Sequence, residues 1–212
     1  MQILIFGACG MLGRDVVAVL EEWGGINFTA LCHDDCDITS RMDVLKSVES
    51  ARPDVIINCV AYTDVDGCEL DSSRALMVNA LGPANIVQVL RDTGIKLIHV
   101  STDYVFDGKF TNPYPEDHTP NPINAYGVSK LNGENVVLMY EHGFIVRTAW
   151  LYGRYGRNFP KTILRIANIL DTLNVVNDQY GQPTWTLDLA RSLLEVAICA
   201  HNQDARVTPG VY

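Results

Sequence analysis

The feature that most constrains this sequence is an alternation between short apolar runs and helical patterns. Residues 55–57, Val-Ile-Ile, are apolar throughout instead of alternating with polar residues. Such a run is typical of a strand that is buried on both faces, and Pro53 marks the turn that enters it. The alternation predicts an α/β fold, in which a doubly wound parallel sheet carries helices on both faces.

The pattern places most elements along the chain. Strands are predicted at residues 3–6, 28–31, 54–59, 96–100, 144–147 and, as a short strand, 174–176. Helices are predicted at residues 11–22, 42–51, 71–91, 124–140, 159–170 and 186–200, with Gly82 and Pro83 interrupting the third. Residues 111–122 are expected to be a proline-rich loop. Residues 207–212 read as a turn into an unfinished strand, so we expect this chain to be a fragment.

Charge and apolar content exclude two classes of partner. The 16 Lys and Arg residues against 25 Asp and Glu give a net charge of −9 without any basic run, which disfavours nucleic acid. No apolar stretch approaches the roughly 18 residues of a membrane-spanning helix. The first residues carry no charged leader, which favours the cytoplasm, and we expect reduced cysteines there. Cys32, His33 and Cys36 invite a metal interpretation, but no second ligand pair follows, so we predict no metal site.

A glycine-rich turn follows the first predicted strand. Gly7, Gly10 and Gly13 form a G-x-x-G-x-x-G pattern that leads into the first helix. Glycines at this place permit a sharp turn and let the backbone approach a pyrophosphate at a helix N-terminus. We therefore predict a Rossmann-type dinucleotide site, of the variant found in short-chain dehydrogenases, with a merely tight turn as the alternative.

The end of the second strand normally carries the residue that selects the cofactor. An acidic residue there binds the 2′-hydroxyl of the adenosine ribose, and an arginine accommodates a 2′-phosphate. Residues 31–34 are Leu-Cys-His-Asp, with neither group at the strand tip, so the sequence does not choose between NADH and NADPH. We expect Asp37 and Ile38 to flank the adenine. The alternative for Asp37 is an ordinary turn or helix-leading carboxylate.

A tyrosine and a lysine are placed to handle a proton. Tyr126 and Lys130 are four residues apart, which predicts that they share one face of a helix. A tyrosine titrates near pH 10, and a cation about 5 Å away is expected to lower its pKa by about 2. Thr102 ends the preceding strand, where it is predicted to donate a hydrogen bond to a reacting carbonyl, or else to cap a turn.

Longer segments carry a resemblance that extends over the whole chain. Residues 101–108, S-T-D-Y-V-F-D-G, and 177–184, N-D-Q-Y-G-Q-P-T, are far more specific than the glycine turn. With residues 52–66 and 147–150, they make the chain resemble the dTDP-4-dehydrorhamnose reductases, which are extended short-chain dehydrogenases/reductases. The resemblance implies NAD(P)H-dependent reduction of the 4-keto group of dTDP-4-dehydro-L-rhamnose to dTDP-L-rhamnose.

The resemblance also implies a role for individual residues. Tyr126 would deliver a proton to O4 of the sugar while the nicotinamide gives a hydride to C4, and Lys130 would hold the nicotinamide ribose and lower the tyrosine pKa. The implied catalytic residues are Thr102, Tyr126 and Lys130, and the implied substrate contacts are Thr102, Asp103, Tyr126 and Trp150, for which core packing is the alternative. Together with the residues found above, the cofactor contacts are Gly7, Gly10, Met11, Leu12, Gly13, Asp37, Ile38, Ala61, Tyr62, Thr63, Tyr126 and Lys130.

Three departures from the family pattern qualify these implications. Met11 replaces a polar residue of the glycine turn, and Cys32 stands where an acidic residue is common. Family chains also continue past the step that begins at Gly210. We therefore expect residues 1–212 to be the nucleotide-binding domain plus the beginning, from about residue 150, of a substrate lobe. The resemblance further admits a homodimer and Mg²⁺, for which no ligand set is identified.

Two other functions remain open from the sequence. A related branch serves as a non-catalytic regulatory subunit of methionine adenosyltransferase, although such a role would not require Thr102, Tyr126 and Lys130. Another extended short-chain enzyme, a sugar-nucleotide epimerase or dehydratase, would share all three of those residues. The two long specific segments favour the reductase.

Overall fold

The computed structural model describes residues 1–212. The strands are β1 (Gln2–Phe6), β2 (Asn27–Leu31), β3 (Val55–Asn58), β4 (Lys96–Thr102), β5 (Gly143–Thr148), β6 (Leu151–Tyr152), β7 (Thr184–Trp185) and β8 (Gly210–Val211). The α-helices are α1 (Met11–Trp23), α2 (Arg41–Ala51), α3 (Val65–Leu70), α4 (Ser72–Leu76), α5 (Gly82–Leu90), α6 (Ala125–Leu138), α7 (Phe159–Ala167) and α8 (Thr186–His201).

Six of the strands form one parallel sheet in the order β2-β1-β3-β4-β5-β8, and β6 pairs with β7 separately. The order reverses between β1 and β3, because β2 lies on one side of β1 and all later strands lie on the other. In sheets of this kind, ligands bind in the crevice beyond the carboxyl ends of the strands at the reversal point. The predicted doubly wound parallel sheet is confirmed.

Two apolar cores cover the two faces of the sheet. Alternate side chains of β1 separate them: Ile3 and Ile5 pack with α1 and α8, whereas Leu4 and Phe6 pack with α2, α5 and α6. All four side chains are fully buried. This division explains why the strands are apolar on both faces, as the sequence predicted, and it leaves the strand ends for the polar residues.

The long helix predicted for residues 71–91 is divided differently from the prediction. Gly82 and Pro83 do not interrupt it, because proline is tolerated in the first turn of a helix and here begins α5 after a π-helical segment, Met77–Leu81. The helix starts at Asp71 as predicted, because its carboxylate accepts a hydrogen bond of 2.9 Å from the backbone N–H of Arg74 and caps α4, whereas α3, which precedes it, was not predicted.

Two further predictions concern the irregular parts of the chain. The short strand predicted at residues 174–176 is wrong, since this segment is exposed and pairs with no other strand. The loop predicted at residues 111–122 is confirmed. None of the helices combines the length and the apolar character that crossing a lipid bilayer would require.

Candidate cofactor and proton-transfer site

The glycine turn brings the start of α1 against the ends of β1 and β3. Gly7 has a φ of +80°, and a Cβ atom there would lie 3.0 Å from the backbone nitrogen of Val60. A Cβ at Gly13 would lie 2.8 Å from the Cα of Ala8, closer than side chains are found. Gly10 caps α1 without any side-chain hydrogen bond, and the first turn carries no acidic residue. The free amides and the helix dipole therefore suit an anion at this end of α1.

Five of the predicted cofactor residues line one cavity of about 230 Å³ at the strand-order reversal. They are Gly7, Gly10, Asp37, Ile38 and Ala61. The remaining lining residues come from the same strand ends and from the π-helical segment: Cys9, His33, Cys36, Thr39, Cys59, Val60 and Val78. The cavity runs from the anion-binding turn to the loop after β2, which is the direction an adenosine group takes in Rossmann-type sheets.

Asp37 and Ile38 have structural roles beside this cavity. One carboxylate oxygen of Asp37 accepts hydrogen bonds from the backbone N–H and the hydroxyl of Thr39, at 2.9 and 2.8 Å. The turn role that was the alternative for Asp37 is therefore present. Ile38 is only 2% exposed, and its side chain fills the space that a Cβ at Gly82 would occupy.

A disulfide joins the glycine turn to the end of β2. Cys9 and Cys32 are bonded, with their Cα atoms 5.2 Å apart, whereas Cys36, Cys59, Cys68 and Cys199 are free. The expectation that all cysteines are reduced is wrong for this pair. The parallel pairing of β1 with β2 explains it, because the backbone N–H groups of Gly7 and Ala8 both donate to the carbonyl of Leu31. No group of three or more His, Cys, Asp and Glu side chains is arranged to hold a metal ion.

The cavity is not lined by the other seven predicted cofactor residues, which are Met11, Leu12, Gly13, Tyr62, Thr63, Tyr126 and Lys130. Leu12 is buried in the core, and Met11 packs against Gly156. The backbone of Tyr62 is held twice by the amide of Asn79, which donates to its carbonyl at 2.9 Å and accepts from its N–H at 2.8 Å. Thr63 is exposed and makes no side-chain hydrogen bond.

Tyr126 lies at the start of α6 beside the end of β4. It is 8% exposed, and its ring packs edge-on against Tyr104 with centroids 5.5 Å apart. The hydroxyl of Thr102 donates to the carboxylate of Asp103 at 3.1 Å and accepts from the N–H of Tyr104 at 3.2 Å. Thr102 therefore has the capping role that was its alternative, and it also lies within hydrogen-bonding reach of Tyr126.

The pKa of Tyr126 is raised to about 12, and the prediction of a lowered value is wrong. Burial is the main cause, a hydrogen bond with Thr102 opposes it, and the charge of Asp103 adds to it. Burial likewise raises the pKa of Asp103. Lys130 shares the helix with the tyrosine as predicted, but its Nζ forms its hydrogen bonds with His99 and Val100 and none with the phenol.

Lys130 instead points into the sheet. Its Nζ lies 2.7 Å from the carbonyl oxygen of Val100 and 3.3 Å from Nε2 of His99, and the residue is only 1% exposed. Burial lowers the pKa of Lys130 to about 8, with the nearby Glu134 opposing this. The other end of the His99 ring, Nδ1, lies 3.1 Å from Nδ2 of Asn58.

Trp150 follows β5 and is 41% exposed. Its indole lies so close to Gly181 that a Cβ there would be 2.5 Å from the ring, and its carbonyl accepts a hydrogen bond of 3.4 Å from the backbone N–H of Thr184. The alternative of a core-packing tryptophan is wrong, because the ring belongs to neither apolar core.

Several residues of the site were not predicted from the sequence. Asn58, His99, Asn79 and Ser129 are all at most 1% exposed and form side-chain hydrogen bonds around Tyr126 and Lys130. Asn79 donates to the hydroxyl of Ser129 at 2.9 Å, and that hydroxyl donates to the carbonyl of Tyr126 at 2.7 Å. The available signal was the presence of single polar residues within otherwise apolar strands and helices, since buried polar groups need partners.

Comparisons with known proteins identify the family to which this sequence is similar. A family model described as RmlD substrate binding domain matches residues 1–212. A dTDP-4-keto-6-deoxy-D-glucose reductase from Streptomyces niveus is 48% identical over 93% of this chain and 68% of its own length. A dTDP-4-dehydrorhamnose reductase from Streptomyces griseus is 44% identical over 93% of this chain and 65% of its own length. The chain therefore spans about two thirds of the length of these relatives.

One solved structure extends the comparison to the fold. A dTDP-4-dehydrorhamnose reductase from Bacillus anthracis, crystallised in complex with NADP, superposes with a TM-score of 0.90 at 37% identity. The match covers 100% of this chain and 73% of that structure.

Proposed function

Because the chain belongs to the family described as RmlD substrate binding domain, we propose that it is the nucleotide-binding part of an NAD(P)H-dependent reductase of dTDP-linked 4-keto sugars. The proposed reaction is reduction of dTDP-4-dehydro-L-rhamnose to dTDP-L-rhamnose. The observation that carries the proposal is the position of Tyr126 and Thr102 at the carboxyl end of β4, the strand that pairs with β3, whose own carboxyl end leads into the cavity of the glycine turn.

The cofactor half of the proposal rests on the fit of the glycine turn. The close backbone packing at Gly7 and Gly13 admits no side chain there, and the uncapped start of α1 supplies N–H donors that suit a pyrophosphate. Met11 and Leu12 would contribute their backbone N–H groups, and the cavity beyond Ala61 would take the nicotinamide side. Bound NAD(P)H supplies the hydride that adds to C4 of the sugar.

The raised pKa of Tyr126 suits reduction. A tyrosine with a pKa of about 12 is protonated at neutral pH, and reduction requires a proton donor. Hydride addition at C4 converts the carbonyl oxygen into an alkoxide, which is a stronger base than a phenolate. Proton transfer from Tyr126 to that oxygen is therefore favourable. Thr102 would donate a hydrogen bond to the same oxygen and help to orient it.

The substrate half of the proposal involves residues beyond β5. Asp103 directly follows β4 and Trp150 follows the adjacent strand β5, so both lie beyond the carboxyl ends of neighbouring strands, and the indole is partly exposed. We assign these residues to the sugar nucleotide, with the substrate region beginning at about residue 150.

The experiment follows the absorbance of NADPH and, separately, of NADH. We expect oxidation only when a dTDP-4-keto-6-deoxy sugar is added, with dTDP-glucose, which lacks a keto group, as the matched control. Product NMR should show a new hydroxyl-bearing C4. In a protein that also carries the rest of the substrate region, oxidation without the keto sugar, or none with it, contradicts the proposal. Conversion of the sugar without net consumption of cofactor would indicate an epimerase instead.

A further inference from the structure

A buried chain of hydrogen bonds links the cofactor cavity to Lys130. The backbone N–H of Val60, which lines the cavity, donates to Oδ1 of Asn58 at 3.1 Å. Nδ2 of Asn58 lies 3.1 Å from Nδ1 of His99, and Nε2 of His99 lies 3.3 Å from Nζ of Lys130. Asn58 and His99 are paired in the register of β3 and β4, so the sheet itself fixes their contact.

The donors and acceptors of this chain determine where the imidazole proton lies. A backbone N–H only donates, so the oxygen of the Asn58 amide must face Val60 and its NH₂ group must face His99. An NH₂ group also only donates, so Nδ1 of His99 must offer a lone pair. A neutral imidazole then carries its proton on Nε2, which faces Lys130.

That proton creates a conflict with a charged lysine. An ammonium has three donors and no acceptor, whereas a neutral amine has a lone pair that accepts from Nε2–H and still donates to the carbonyl of Val100. An imidazolium would not resolve the conflict, since it would turn a second N–H toward Asn58. Burial, with the charge of Lys130, also holds the pKa of His99 well below its usual value.

The other groups that face Lys130 do not restore its charge. Glu134, on the same helix, is already held by Arg147 through two hydrogen bonds of 3.0 and 2.7 Å. The thiol of Cys59, which follows β3, stays neutral because burial raises its pKa to about 12. Of the two β4 groups that contact Nζ, the carbonyl of Val100 accepts from an amine and an ammonium alike, so only His99 distinguishes between them.

We propose that Asn58 and His99 are positioning residues that favour the uncharged amine of Lys130, through the hydrogen-bond chain that begins at Val60. This inference rests on the proposed function only where it concerns turnover. The positive charge of Lys130, which would assist Tyr126 and bind the nicotinamide ribose, is then present only below the midpoint pH of its own titration. Asn58 and His99 set that midpoint. The lowered pKa of Lys130, about 8, agrees with this.

The first test is the tautomer of His99 in the unaltered protein. Imidazole ¹⁵N NMR distinguishes the protonated from the unprotonated ring nitrogen, and through-bond correlations assign the signals. At a pH above the Lys130 midpoint, we expect the proton on Nε2. A proton on Nδ1 overturns the proposal, because Lys130 would then be free to donate to Nε2.

The second test follows the titration of Lys130 by NMR of ¹³C-labelled lysine. In Asn58→Asp, a carboxylate accepts from both Val60 and Nδ1–H of His99, so Nε2 becomes an acceptor for an ammonium. We expect the midpoint to rise from about 8 by at least about one pH unit. His99→Gln adds no charge but offers an amide oxygen, and we expect a rise there as well.

The variant His99→Gln adds no charge, so it distinguishes the proposed hydrogen-bond effect from a purely electrostatic effect. A midpoint that stays near 8 in His99→Gln means that burial alone sets the titration, which overturns the proposal. In turnover, the alkaline limb of the pH–rate profile should move with the NMR midpoint. Neither NMR measurement needs substrate, so a protein that reduces no keto sugar but shows the expected tautomer and titrations refutes the proposed function alone.

Discussion

Burial of Lys130 makes the stability of this protein depend on pH in a window that can be stated in advance. Folding lowers the pKa of Lys130 from 10.5 to about 8, so between these values the unfolded chain binds a proton that the folded chain does not. Stability therefore rises with pH across this window, and the full effect is about 3 kcal/mol. Below pH 8 both forms are charged, and the cost of burying the charge is constant.

The variant Lys130→Met isolates this effect, because it keeps most of the length of the unbranched side chain and removes its charge. Between about pH 7.5 and pH 9.5, the free energy of unfolding of the unaltered protein should gain about 2 kcal/mol relative to Lys130→Met. Urea unfolding at several pH values measures the difference, and Lys46→Met, at an exposed position of α2, serves as the control. A difference that does not change across this range would refute the reasoning.

Three other predictions concern the surroundings of the site. Cys9→Ser combined with Cys32→Ser should cost about 3 kcal/mol of stability in urea, since the bridge closes a loop over 23 positions; equal stability of the variant and the oxidised parent would contradict this. Gly13→Ala should weaken NADPH binding at least about tenfold in a fluorescence titration, because the methyl group pushes α1 from the glycine turn, and unchanged affinity would refute that role. Glu134→Gln should cost about 3 kcal/mol by leaving the guanidinium of Arg147 without its carboxylate; Glu134→Leu with Arg147→Met should recover most of this, and a neutral single variant would show that the pair contributes nothing.

The fold was predictable because a strand that is buried on both faces of a sheet is apolar at successive positions, and the sequence shows this directly. Residues 55–57 are apolar without interruption, and β3 forms there between two strands with both faces covered. The same reasoning failed at residues 174–176, whose apolar character reflects exposed side chains and not a strand. At Gly82 and Pro83 it also failed, since a π-helical segment lets the chain pass into α5 without a break.

Five of the twelve residues that line the cavity were predictable, and the proton chemistry was not. The glycine pattern acts through local backbone sterics, which a sequence shows directly. The four-residue spacing of Tyr126 and Lys130 establishes only that they share a helix face, whereas the direction of a long lysine side chain depends on a carbonyl of β4 and on His99. The disulfide depends likewise on the pairing of β1 with β2, which brings together cysteines that are far apart in sequence.

The central claim is that Tyr126 supplies the proton in reduction, and Tyr126→Phe tests it most directly. The control is Tyr140→Phe, which removes another largely buried hydroxyl, bonded to the carbonyl of Ile95 and outside the site. In single-turnover reduction of a dTDP-4-keto sugar by bound NADPH, Tyr126→Phe should be at least about 100-fold slower with unchanged NADPH affinity, whereas the control keeps its rate. A Tyr126→Phe variant that reduces the sugar at the full rate would contradict the account.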